Sequence, residues 1–189
     1  VYTGAADITD GIDNDCDILV DELAIEDMDI QTSEVMANPD FVTDAQGEYF
    51  EVYNRSDRTI NLIGWSFHDM DSDIFEISDD LEIEPGAYLV LGSNADMETN
   101  GNVPVDWEYE GFTLANSSDE ILISAGDLLV STHEWTEATA GVSNAYGGTD
   151  WADVSDISNW CNASVSPFTA LAPAEYPWWG GYDFGTPGE

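Results

Sequence analysis

The chain has 189 residues and carries 40 aspartates and glutamates against two arginines and no lysine, for a formal charge of −38 at neutral pH. Binding to nucleic acid or to an anionic lipid surface is excluded on this ground, because phosphate-rich surfaces are gripped by Lys and Arg, and Arg55 and Arg58 are the only such residues. A disordered acidic tail is excluded too, since 43% of residues are hydrophobic and 12% aromatic, enough for the core of one domain.

Residues 1–28 are polar, acidic and without strand periodicity, so a boundary is expected near Met28 or Asp29, with a β-rich unit over residues 29–189. Within the first part, Asp10 to Glu22 reads D-G-I-D-N-D-C-D-I-L-V-D-E. Asp13, Asp15 and Asp17 have the i, i+2, i+4 spacing by which a tight loop turns carboxylates toward one hard cation. The Leu19 carbonyl, Asp21 and Glu22 can complete an all-oxygen shell, and calcium is the ion that such a shell suits. The loop is not an EF-hand, because Ile18 replaces the usual glycine and the twelfth residue counted from Asp13 is Ala24. Gly11 to Glu22 resembles a short Asp-rich metal-binding motif of secreted bacterial proteins, with Ile18 as its one departure. The alternative reading of the run is a solvated acidic surface.

From Ile30 onward, β-branched, aromatic and alternating residues recur at short intervals. Strands are predicted over Ile30 to Met36, Tyr49 to Tyr53, Thr59 to Ile63, Trp65 to His68, Ile74 to Ile77, Ala87 to Gly92, Trp107 to Phe112, Glu120 to Ser124 and Leu128 to Thr132. Asn38-Pro39-Asp40, Glu84-Pro85-Gly86 and Ala125-Gly126-Asp127 supply reversals between them. Many short strands at this spacing predict an all-β protein, an antiparallel β-sandwich, with little helix. Between two of the strands, Asp69, Asp71 and Asp73 repeat the i, i+2, i+4 pattern and form a second candidate calcium loop, or else a turn with its side chains in water.

Beyond Trp135 the pattern loosens into Gly, Ser, Asn and Asp punctuated by Trp151, Trp160, Trp178 and Trp179, too aromatic for a free linker and expected to pack along the sandwich. Cys16 and Cys161 lie near opposite ends and in no CxxC arrangement, which leaves a long-range disulfide or two unpaired thiols. No run approaches the roughly 18 residues of a membrane span, so a soluble chain is expected.

Three strings stand in order in the central region: Ser33-Glu34-Val35-Met36-Ala37-Asn38-Pro39, Gly47-Glu48-Tyr49-Phe50-Glu51-Val52-Tyr53-Asn54, and Ile60-Asn61-Leu62-Ile63-Gly64-Trp65. Glu84 to Leu91 and Leu114 to Glu120 follow them. Over roughly residues 30 to 135 this series resembles the lamin tail domain, in particular its secreted bacterial versions. The resemblance implies an immunoglobulin-like sandwich, and a module that interacts or anchors without catalysing.

No nucleophile elbow, HExxH or phosphate-cradling glycine loop is present, so no enzyme is expected. The leading expectation is an extracellular or cell-surface structural module that binds calcium and self-associates into a homo-oligomer, fibre or sheath. A second reading is an adhesive module for cell-surface polysaccharide, in which Trp151, Trp178 and Trp179 stack on sugar rings.

Overall fold

The computed structural model describes Ile25, residues 28–148, Trp151, residues 154–163, Asp183 and residues 185–187. Among the described residues twelve strands are formed in order: β1 (Ile30–Met36), β2 (Tyr49–Asn54), β3 (Ile60–Asn61), β4 (Trp65–His68), β5 (Ile74–Glu76), β6 (Glu82–Ile83), β7 (Tyr88–Gly92), β8 (Trp107–Glu108), β9 (Asp119–Ala125), β10 (Leu128–Trp135), β11 (Asn144–Tyr146) and β12 (Trp160–Asn162). The only α-helix among the described residues is α1 (Asp44–Gly47), a single turn. None of these is a helix long and apolar enough to cross a membrane.

The strands make a six-stranded sheet in the order β12-β11-β1-β2-β7-β8, a four-stranded sheet in the order β10-β9-β4-β5, and a small β3-β6 pair. Every pairing is antiparallel except β7 with β8. The two larger sheets face each other across a common core, as a sandwich of alternating strands must to hide its apolar faces. Phe50 from β2 is fully buried and meets Phe67 of β4 and Phe75 of β5 at ring-centroid distances of 5.6 and 6.3 Å. Val35, Val52, Leu91, Ile121, Ile123 and Val130 surround this aromatic centre. Gly64 supplies the bend that the core needs, since its φ of +76° lies in the left-handed region, and the next residue, Trp65, turns in to 5% exposure.

One feature of β1 departs from simple alternation: all seven of its residues are buried. The register against β2 slips between Thr32 and Glu34, so that Ser33 is the extra residue of a bulge. After the slip Val35 lies opposite Phe50 toward the core, while Glu34 and Met36 lie opposite Glu51 and Tyr49 on the outer face. That outer face is also covered. Val103 and Val105 pack on Met36, Tyr49 and Val90 at one end, and Trp151 stacks on Tyr53 at 4.4 Å at the other.

Sequence and structure differ mainly at the ends of strands. The expected Trp107 to Phe112 strand keeps only two paired residues, because Phe112 turns into the core beside Tyr109, their rings 5.7 Å apart. The described part of the tail contributes β11 and β12 to the edge of the larger sheet. Cys161 on β12 is a free, half-buried thiol; Cys16 lies outside the described residues, so the expected bridge gains no support.

Candidate functional site

Asp13, Asp15, Asp17, Leu19, Asp21 and Glu22 lie outside the described residues. The second acidic run is described and forms the β4–β5 connection. There Asp69 Oδ1 accepts the backbone N–H groups of Asp71 and Asp73 at 2.9 and 3.0 Å, and Asp73 Oδ2 accepts the N–H and hydroxyl of Thr113 at 3.2 and 2.7 Å. These carboxylates thus shape the turn and tie it to the neighbouring loop. Among the described residues, no three His, Cys, Asp or Glu side chains gather in a way that could hold a metal ion.

Buried carboxylates are instead concentrated on and beside the six-stranded sheet. Glu34 and Glu51 stand directly opposite each other on its outer face, each 1% exposed. Like charges placed so are unfavourable unless each carboxylate is met by donors. Glu34 accepts the Tyr49 hydroxyl, the Thr186 N–H and the Thr186 hydroxyl, the last at 2.7 Å. Glu51 accepts the hydroxyl of Ser33, the bulge residue, at 2.6 Å. Thr186 is 152 positions beyond Glu34, and Asp183 nearby accepts the N–H groups of Asp40 and Phe41, so residues near the end of the chain strap the outer face by polar contacts.

Glu48 is set differently. It shares the inward row of β2 with Phe50 and Val52 and is 6% exposed. One carboxylate oxygen accepts the Leu114 N–H at 3.2 Å, and among the described residues its side chain makes no other hydrogen bond. Desolvation pushes its pKa from 4.5 up to about 7, with Asp44 and Asp119 adding repulsion. The carboxyl lines a groove of about 560 Å³ between α1 and the loop over residues 109–116, where Asp44, Glu110, Tyr109 and Phe112 also contribute.

The two histidines stand on the same four-stranded sheet, two strands apart, His68 on β4 and His133 on β10. His68 Nε2 lies 3.1 Å from Ser124 Oγ and its Nδ1 is 3.2 Å from the Asp69 carbonyl, a pairing across β4 and β9 that no sequence motif announces. Ser124 sits in mid-strand at 8% exposure, on the outer face of the four-stranded sheet. His133 stacks on Trp160 at 3.7 Å, and burial lowers its pKa to about 3, so the ring is neutral. Its Nε2 and the Asn144 Oδ1 have no hydrogen-bond partner among the described residues and line one small cavity.

Trp151 was expected to offer a face to sugar rings, but both Tyr53 and Tyr146 pack on it, at 4.4 and 4.5 Å. Trp178 and Trp179 lie outside the described residues. Glu34, Glu48 and Glu51 escaped the sequence reading, although one signal was there: Glu48 occupies the same alternating row as Phe50 and Val52, where an acid is out of place.

No curated protein matches this sequence. A family model does, over residues 26–137, which is more than half of the chain and takes in β1 to β10. That stretch contains both faces of the sandwich, the Glu48 groove and the bend at Gly64, and by it the chain belongs to the lamin tail domain family.

Proposed function

We propose that this protein is a non-enzymatic, extracellular calcium-binding module that assembles with copies of itself into a surface fibre or sheath. The observation that carries the reading is the charge balance: 40 acidic side chains face two arginines, and Arg58 is already engaged with Asp29 at 2.6 Å. So many carboxylates in one compact domain repel one another, and divalent cations are the counter-charge that a lysine-free chain lacks. Family membership supports the non-enzymatic part of the reading, because the lamin tail domain is an immunoglobulin-like structural fold.

Asp13, Asp15, Asp17, the Leu19 carbonyl, Asp21 and Glu22 are the residues that would hold calcium, which would supply positive charge and fix the loop. Nothing in this role asks for catalysis. Calorimetric titration of calcium into the purified protein, followed by negative-stain microscopy with and without chelator, tests both halves. Binding with filaments is the expected result. Binding without assembly removes the fibre and leaves an adhesive module, and no binding removes calcium and leaves salt adaptation to account for the acids. A cation bound only by the folded state also raises the melting temperature by mass action, and Asp15→Ala should abolish that rise.

A further inference from the structure

Two groups in this molecule are each incomplete, and they stand at opposite poles of it. Glu48 immediately precedes β2 and Arg55 immediately follows it. An antiparallel strand rises about 3.4 Å per residue, so the seven steps between them place the two backbones roughly 24 Å apart, along the length of the sandwich.

At one pole, Glu48 is a nearly buried carboxyl with a single hydrogen bond, from the Leu114 N–H, and it lines the groove with Asp44 and Glu110. The groove is too roomy for a bare ion and gathers too few acids around one point for a metal centre. Its aromatic lining, Tyr109 and Phe112, together with carboxylates, suits a cation carried on an apolar stem. At the other pole, Arg55 is exposed, and among the described residues its guanidinium makes no hydrogen bond or ion pair, in a chain with 40 acids. A second copy of this chain has only two such side chains to offer, and Arg58 is held by Asp29.

We infer that the Glu48 groove is a docking site for Arg55 of a second copy, an end-to-end contact that joins the two poles. The inference rests on the self-assembly reading above and gives it a geometry. A guanidinium forks onto a carboxylate with two parallel hydrogen bonds, a fit that lysine lacks. The contact is heterologous: each docked pair still presents one unfilled groove and one unpaired Arg55, so it adds further copies, as an open filament wherever the rotation between copies does not close a ring. Repulsion between copies of charge −38 opposes it, and calcium and salt are what relieve that opposition.

The test uses the full chain with calcium, following assembly by sedimentation and negative stain. Arg55→Ala should raise the concentration needed for assembly by roughly tenfold or more while leaving the melting temperature of the monomer unchanged, because the side chain has no described partner to lose. Glu48→Gln should raise that concentration likewise, with the monomer stabilised above pH 7 because the variant cannot ionise, and the double exchange Arg55→Glu with Glu48→Arg should restore filaments that Arg55→Glu alone abolishes. If Arg55→Ala assembles like the parent protein, this contact is wrong and self-assembly stands. If the parent stays monomeric with calcium, both are wrong. An independent readout avoids assembly altogether: N-acetyl-argininamide at millimolar concentration should shift the Leu114 amide resonance in the NMR spectrum of the parent, and a resonance that stays put overturns the groove as a guanidinium seat.

Discussion

The two faces of the six-stranded sheet are both buried, by different physics. On the inner face Val35, Phe50, Val52 and Leu91 meet the other sheet through apolar contact, which is additive, non-directional and tolerant of small shifts. On the outer face Glu34, Tyr49 and Glu51 are closed off by the chain's own later residues, and each polar atom needs a donor or acceptor at a fixed place. The inner face therefore sets how stable the sandwich is. The outer one sets whether residues around Asp183 and Thr186 stay seated.

The largest effect should come from breaking the inner face at its centre. Phe50 is fully buried and its ring neighbours four others, Phe67, Phe75, Tyr109 and Phe112. Phe50→Ala should cost about 3–5 kcal/mol, read as a fall in the denaturation midpoint with an unchanged slope. A loss below about 1 kcal/mol would mean that the two sheets do not share this cluster. The outer face should break more gently. Thr186→Val removes the hydroxyl that donates to Glu34 at 2.7 Å and keeps the N–H, so about 1.5–3 kcal/mol should be lost, while Thr186→Ser should recover most of it. Hydrogen exchange would localise that loss: the Thr186 amide should lose protection in the valine variant, with the amides of β4 and β9 unaffected.

How much of this was legible follows from the same contrast. Strands β1, β2, β4 and β7 could be read because alternation and β-branching record inner-face burial residue by residue. The outer face of β2, Tyr49, Glu51 and Tyr53, reads equally well as a solvated face, and only the fold brings Val103, Trp151 and Thr186 across it. The bulge at Ser33 hid Glu34 in the same way, since one extra residue reverses which side of β1 looks outward. Strands β11 and β12 were missed because three-residue strands take their order from the neighbours they pair with, β11 from β1 and β12 from β11. The candidate site was legible only as acidity. Asp69, Asp71 and Asp73 have the spacing of a cation loop, yet Asp69 Oδ1 accepts backbone N–H groups and Asp73 Oδ2 accepts from Thr113, and spacing alone does not distinguish the two uses.

Glu48 sharpens the comparison most finely, because it places an outer-face type of residue at the end of the inner row. Its carboxyl titrates near 7 in the folded protein and near 4.5 when unfolded, the rise coming first from desolvation. Between those values the folded state binds more protons than the unfolded one, so stability falls as pH rises across that window. The contribution is fully present below about pH 4.5 and lost once pH has passed about 7. A shift of this size corresponds to about 3 kcal/mol at full burial, and solvent in the groove reduces it to about 1–2 kcal/mol. Glu48→Gln cannot ionise, so it should match the parent at pH 4 and exceed it by that amount at pH 8, in chemical denaturation at fixed ionic strength. A constant difference across the range would show that the carboxyl is as well solvated in the groove as in the unfolded chain. A difference that closes when N-acetyl-argininamide is added at pH 8 would show the groove supplying, from outside, the cation that the chain does not place there itself.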